Sequence, residues 1–203
     1  MPSSAGRLDL SSLRTAHVTD QGAVVPLPFL TAGTLAWPWQ HAHRVLHEWR
    51  RWIDRSHGVV STAARLLRTP GRGPIVAVEL ALAGAPEVAA DQLAALRGLE
   101  PASDTVRLSP PAPLPPAVGL VPAGMRPITA HLRLGELPAA AVDAFVAATG
   151  PASGSDLLAA ELHHLGGAYA VAAIGAAGDP EEAERVRIGL EVLERRLAPW
   201  RAP

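Results

Sequence analysis

The chain has 203 residues, 48% of them hydrophobic and 18% charged, with a formal net charge of −1. That balance suits one sizeable domain with a hydrophobic core, argues against disorder, and leaves no electrostatic footprint for nucleic acid or an anionic membrane. All 18 basic residues are arginine, and cysteine and asparagine are also missing, which excludes lysine Schiff bases, P-loop lysines, disulfides, thiolate nucleophiles and cysteine metal sites.

No N-terminal segment joins a basic start to an apolar run, and the apolar stretch 23–39 is interrupted by Pro26, Pro28 and Pro38. Neither a signal peptide nor a membrane span is expected, and the reading is a soluble, cytoplasmic protein. Residues 1–28 read as an arm, with an edge strand over 24–30 that tolerates Pro26 and Pro28. The remainder, 29–203, reads as one domain. Residues 31–37 form a strand, and Pro38 opens a helix running to about Ile53. Ala42, Val45, Leu46, Trp49, Trp52 and Ile53 recur at helical spacing and form its buried stripe, leaving His43, His47, Arg50 and Asp54 opposite.

Strands follow over 59–69 and 75–82 around a turn at 70–74, then a short alanine-rich helix over 86–96. Residues 98–127 are dense in proline and read as an extended connection, with a short strand over 106–109. A strand over 128–134, a helix over 138–148, strands over 157–165 and 168–174, and a helix over 179–198 complete the chain. Gly166-Gly167 supplies the hairpin turn between the last two strands. Asp179 and Glu182 fit a capping box, with Arg195 and Arg196 suited to the other end of that helix. Each half thus runs strand–helix–strand–strand–helix without a sequence repeat. The fold class is α+β, a largely antiparallel multistranded sheet flanked by helices.

The polar residues of 157–174 are the chemical signal. Strand side chains alternate, so Glu161 and His163 share one face while Leu162 and His164 take the other. A carboxylate and an imidazole on one face suit general acid–base work or the orientation of a polar ligand; ordinary surface polarity is the plainer reading. Glu79, inside its strand, either meets solvent or lines a cleft. Trp37, with Trp39, Trp49 and Trp52, crowds one strand-to-helix junction and reads first as packing. His43 and His47 have metal-ligand spacing, but Arg44, Arg50 and Arg51 stand nearby and no metal is expected there. The fragment Gly71-Arg-Gly73 lacks the helix of a dinucleotide fingerprint, Gly150–Gly154 has the wrong spacing for a nucleophile elbow, and no His-Glu-x-x-His occurs.

The run Leu157-Leu-Ala-Ala-Glu-Leu-His-His-Leu-Gly-Gly-Ala168 resembles a hallmark of bacterial FAD-linked oxidoreductases of the berberine-bridge-enzyme type. Those enzymes tend to carry Ser-Val-Glu-Leu-Arg-His-Leu-Gly-Gly-Ala after a loop that Ser153-Gly-Ser155 echoes. Leu35-Ala-Trp-Pro38 with its helix, residues 75–84 with Ala85-Pro-Glu87, residues 137–150, and Ala198-Pro-Trp200 are similar to further parts in the same order. The resemblance covers about residues 29–200 and only the substrate-binding domain of the family, an antiparallel sheet with helices that roofs a flavin held elsewhere. The departures are His163 in place of the motif arginine, a shorter connection after Gly167, no Tyr-x-Asn segment before Pro203, and no flavin-binding domain in this sequence.

The resemblance implies a small organic molecule as ligand, in specialised metabolism, with Glu161 and His163 as candidate catalytic groups and Glu79, His164, Tyr169 and Trp37 as candidate substrate contacts. No cofactor is expected unless a partner protein supplies FAD. The primary expectation is stand-alone binding, with cofactor-independent isomerisation or cyclisation left open. The alternatives are the substrate subunit of a split FAD-dependent oxidoreductase and a non-catalytic relic or scaffold. The expected partners are a separate flavin-binding subunit or a second copy of the chain, with no nucleic acid and no membrane.

Overall fold

Apolar side chains at every second position of the central strands bury one sheet face, and this alternation sets the architecture. The computed structural model describes residues 16–18, 24–26, 30–57, 59–68, 73–109 and 120–203. In order they form β1 (Ala16–Val18), β2 (Val24–Pro26), β3 (Leu30–Pro38), α1 (Ala42–Arg55), β4 (Val59–Leu67), β5 (Ile75–Leu82) and α2 (Pro86–Arg97). Then come β6 (Ser103–Asp104), β7 (Arg107–Ser109), β8 (Arg126–Leu134), α3 (Ala139–Thr149), β9 (Leu157–His164), β10 (Tyr169–Ala177) and α4 (Pro180–Leu197). An eight-stranded sheet has the order β6-β3-β5-β4-β9-β10-β8, with β7 also on β3, and its pairings are antiparallel. The α+β class read from the sequence is the one found.

Order and pairing repeat between the halves. In each, the first strand pairs with the third and the third with the second, as β3-β5-β4 and β8-β10-β9. The two second strands, β4 and β9, meet at the sheet centre. The helices cover one face. The α1 stripe joins Val76, Val78 and Leu80 of β5, Leu162 of β9, Val171 of β10 and residues of α2, α3 and α4 in one apolar cluster. Buried indoles inside it keep their N–H groups bonded, Trp49 to Thr62 Oγ1 at 2.9 Å and Trp52 to the Gln92 carbonyl at 2.9 Å.

Local signals act as the sequence suggests at the last hairpin and the last helix. Gly166 and Gly167 have φ of 68° and 113°, a region that only glycine enters freely, and Leu165 N–H donates to the Ala168 carbonyl across them at 2.8 Å. At α4, Glu182 N–H donates to Asp179 Oδ1 at 2.8 Å while the Glu182 carboxylate accepts from Gly178 N–H at 2.6 Å.

The segment expected as an edge strand gives β2, which has a free edge in a two-stranded ribbon with β1, apart from the main sheet. Two elements differ from expectation. Pro38 ends β3 instead of opening α1, because its backbone is extended and Trp39 N–H is taken by the Pro74 carbonyl; a 3-10 turn over Trp39–His41 precedes the helix. Strand β10 continues past Ile174 to Ala177, since β8 pairs with Gly175-Ala-Ala despite their weak intrinsic strand preference. Most of the N-terminal arm, residue 69 at the end of a predicted strand, the 70–72 part of the predicted turn, and the 110–119 part of the proline-rich connection lie outside the described residues.

Candidate functional site

The central register of the sheet assembles a charged cluster from three strands. Arg65 of β4 sits directly opposite Glu161 of β9, and Ala63 sits between Glu79 of β5 and His163 of β9. All four polar residues occupy positions alternating with the helix-facing core, so they project from the other face, on which none of the four helices packs. Around them that face carries alanines, with Ala63, Ala77, Ala81, Ala159, Ala170 and Ala172 in register about the cluster. Small side chains there leave the long polar ones room to lie across the strands.

The distances describe a chain of contacts. Arg65 Nη2 lies 3.0 Å from Glu79 Oε2, Arg65 Nε lies 3.4 Å from Glu161 Oε1, and Glu161 Oε2 lies 2.7 Å from His163 Nε2. Arg65, Glu79 and Glu161 are each 6% exposed, whereas the His163 side chain retains 18%. Among the described residues neither Glu79 Oε2 nor Glu161 Oε1 finds a well-directed hydrogen bond, so both rely on the nearby guanidinium for charge compensation. Burial pushes the Glu79 carboxyl up, Arg65 pulls it back, and the Glu161 charge raises it further. The net effect holds the Glu79 carboxyl above the usual carboxylate range. Glu161 holds the His163 ring through its Nε2, and that side chain is the least buried of the four.

The other predicted contacts lie across the sheet. Trp37 is in the core, its indole N–H donating to the Leu99 carbonyl at 3.0 Å. Tyr169 packs edge-on against Trp49 at 6.3 Å between ring centroids, and His164 packs on Tyr169 at 5.3 Å. His164 also accepts from Gly167 N–H at 3.3 Å, and burial lowers its imidazole pKa while raising that of the Tyr169 phenol. Glu161, His163 and Glu79 thus share one site, whereas His164, Tyr169 and Trp37 do not reach it. The residue that sequence reading missed is Arg65. Its place opposite Glu161 depends on pairing between distant strands, and the only local sign was an arginine alternating with Ala63 and Leu67 in a predicted strand.

Two further features lie by the loop before β9, apart from this cluster. Arg68, at the end of β4, donates to the carbonyls of Ser155 at 2.6 Å and Gly150 at 2.7 Å and so pins the loop before β9. Beyond that loop an open cleft of about 280 Å³ is lined by Arg68, Met125, Asp156, Leu158, Glu182 and Arg185, and it does not reach Glu161. On the helix layer, His43 and His47 of α1 both meet Asp143 of α3.

No family model and no curated relative matches the chain. Solved structures do match it, at identities that speak for fold alone. 6-Hydroxy-D-nicotine oxidase from Arthrobacter nicotinovorans aligns at a TM-score of 0.65 and 18% identity, over 89% of this chain and 46% of the oxidase. A BBE-like protein from Arabidopsis thaliana gives 0.62 and 11% identity, over 89% and 45%. CrmK, a flavoenzyme of the shunt product recycling mechanism in caerulomycin biosynthesis, gives 0.61 and 16% identity, over 91% and 45%. The chain spans less than half the length of these structures. Its fold is that of the portion identified from sequence as resembling the substrate-binding domain of berberine-bridge-enzyme-like FAD-linked oxidoreductases.

Among the described residues no helix start has the form of the glycine-rich strand-to-helix turn on which a Rossmann-type dinucleotide pyrophosphate sits. Here α2 carries Glu87 and α4 carries Glu181 and Glu182 in their first turns, while α1 and α3 are entered through Trp39-Gln-His41 and Leu137-Pro138. No helix among the described residues is long and apolar enough to cross a membrane.

Proposed function

We propose that this chain binds a small organic molecule on the sheet face away from the described helices, with His163 as the group that meets the ligand and Glu161 as the carboxylate that orients it. The observation that carries this reading is the 2.7 Å Glu161–His163 contact, whose histidine is the surface-reaching member of an otherwise buried ionic cluster. Arg65 holds Glu161 in place and is itself held by Glu79, whose pKa burial raises. A histidine braced by a carboxylate can take a proton from a ligand hydroxyl or acidified C–H and return it elsewhere, which is the requirement of a cofactor-independent isomerisation or cyclisation. The fold likeness to a flavoenzyme of caerulomycin biosynthesis supports specialised metabolism as the setting.

The test is a two-dimensional amide NMR screen of the full chain against a fragment library of sugars, phenols and cyclic amines. Binding should move amides of β4 and β9 around Ala63, Arg65 and His163. Glu161→Gln and His163→Ala should each weaken it about tenfold or more, as loss of a charge-assisted hydrogen bond does. Hits that map elsewhere, or that ignore both substitutions, would remove the site.

A second reading rests on the alignment, which covers nearly all of this chain and less than half of each flavoenzyme. In it the chain supplies the substrate side of an FAD-dependent oxidation, with the flavin held by a separate domain or subunit. A tagged pull-down from source-cell lysate with a visible spectrum of the eluate separates the two. Co-eluting flavin bands support the paired enzyme; a colourless eluate leaves the cofactor-free reading.

A further inference from the structure

The geometry points to a transition-metal site on the helix layer, formed by His43 and His47 of α1 with Asp143 of α3. The two histidines stand one helical turn apart, a spacing that places both rings on the same side of α1. Their Nε2 atoms converge on a single oxygen, Asp143 Oδ1, at 2.8 Å each, and the ring centroids are 4.4 Å apart. All three donor atoms lie within 4.8 Å of one another. A tetrahedral ion with bonds near 2.0 Å needs its ligands about 3.3 Å apart, so small rotations of the exposed His43 and Asp143 side chains suffice to admit it.

Two imidazole nitrogens with one carboxylate oxygen suit Zn²⁺, Co²⁺, Ni²⁺ or Cu²⁺, and not the hard ions Mg²⁺ and Ca²⁺, which prefer all-oxygen shells. Three protein ligands leave the outer position to water. Two of the neighbouring arginines are engaged elsewhere. Arg50 donates to the Leu137 carbonyl at 2.6 Å, and Arg51 is paired with Glu48 at 2.7 Å. Coordination needs each Nε2 free of a proton, so both histidines would coordinate in the Nδ1–H tautomer, with the metal in place of their hydrogen bonds to Asp143. The ion would clamp α1 to α3 on the side of the sheet opposite Glu161. Its role is therefore to brace the fold, and it stands independently of the proposed ligand site.

The test is calorimetric titration of the full chain with zinc chloride, repeated on His43→Ala, His47→Ala and Asp143→Asn, with cobalt(II) absorption as a second readout. Wild type should take up one equivalent, show the intense visible bands of low-coordinate cobalt, and gain several degrees in melting temperature at excess zinc. Either histidine substitution should weaken binding at least tenfold and abolish the thermal gain, and Asp143→Asn should weaken it by a smaller factor. His163→Ala should leave uptake unchanged. No uptake by wild type, or uptake insensitive to the two α1 substitutions, overturns the site.

Discussion

The two faces of the central sheet solve opposite problems with the same strands. Toward the helices, Val76, Val78, Leu80, Leu162 and Val171 bury apolar surface and need no partners beyond close packing. Toward the other side the alternating positions hold alanines and the Arg65–Glu79–Glu161–His163 cluster, where each buried charge depends on a specific neighbour. A packed face tolerates volume-conserving change, whereas a charged one fails when a single partner is lost. An ionic cluster replaced by similar apolar residues is often no less stable. The cluster is therefore not explained by what it adds to folding.

The largest effect that separates the faces should come from Arg65→Met. It leaves two buried carboxylates facing each other and should cost about 3–5 kcal/mol in urea unfolding. Leu162→Ala, the neighbouring residue on the packed face, should cost about 2–5 kcal/mol through lost burial and a cavity. If Arg65→Met costs nothing, the cluster is solvated and the contrast between the faces disappears.

A finer effect concerns pH. The raised Glu79 pKa means the folded chain holds that proton more tightly than the unfolded chain does. Stability from this group is therefore present at low pH and is lost as pH climbs from the ordinary glutamate value of about 4.3 through the raised one. Glu79→Gln should flatten that part of the stability–pH curve, measured by thermal melts across the acid range. An unchanged slope would assign it to another group. The smallest stability change in the cluster should come from His163→Ala, about 1–3 kcal/mol through loss of its hydrogen bond to buried Glu161. Its effect should appear in ligand binding as well.

Much of the fold was legible because its signals are local. The α1 stripe, the Gly166-Gly167 turn and the Asp179 cap each need only neighbouring residues to act, and each acts as its sequence suggests. The start of α1 and the end of β10 were misplaced because Pro74 and β8, both remote in sequence, decide them. The candidate site divides in the same way. Strand alternation placed Glu161 and His163 together and His164 apart from them, but could not say that Trp37 and Tyr169 belong to the helix side or that Arg65 completes the cluster. Asp143 was invisible for the same reason: nothing near His43 and His47 in the chain announces a carboxylate arriving from α3.

The most direct test of the account is to incubate the purified chain with a small-molecule extract of its source cells, recover what stays bound after ultrafiltration, and identify it by mass spectrometry. Wild type, Glu161→Gln and His163→Ala should be run in parallel, with circular dichroism confirming that all three are folded. The account predicts a compound retained by wild type and lost from both variants. Retention of nothing, or equal retention by all three proteins, would contradict a ligand site on the sheet face away from the described helices.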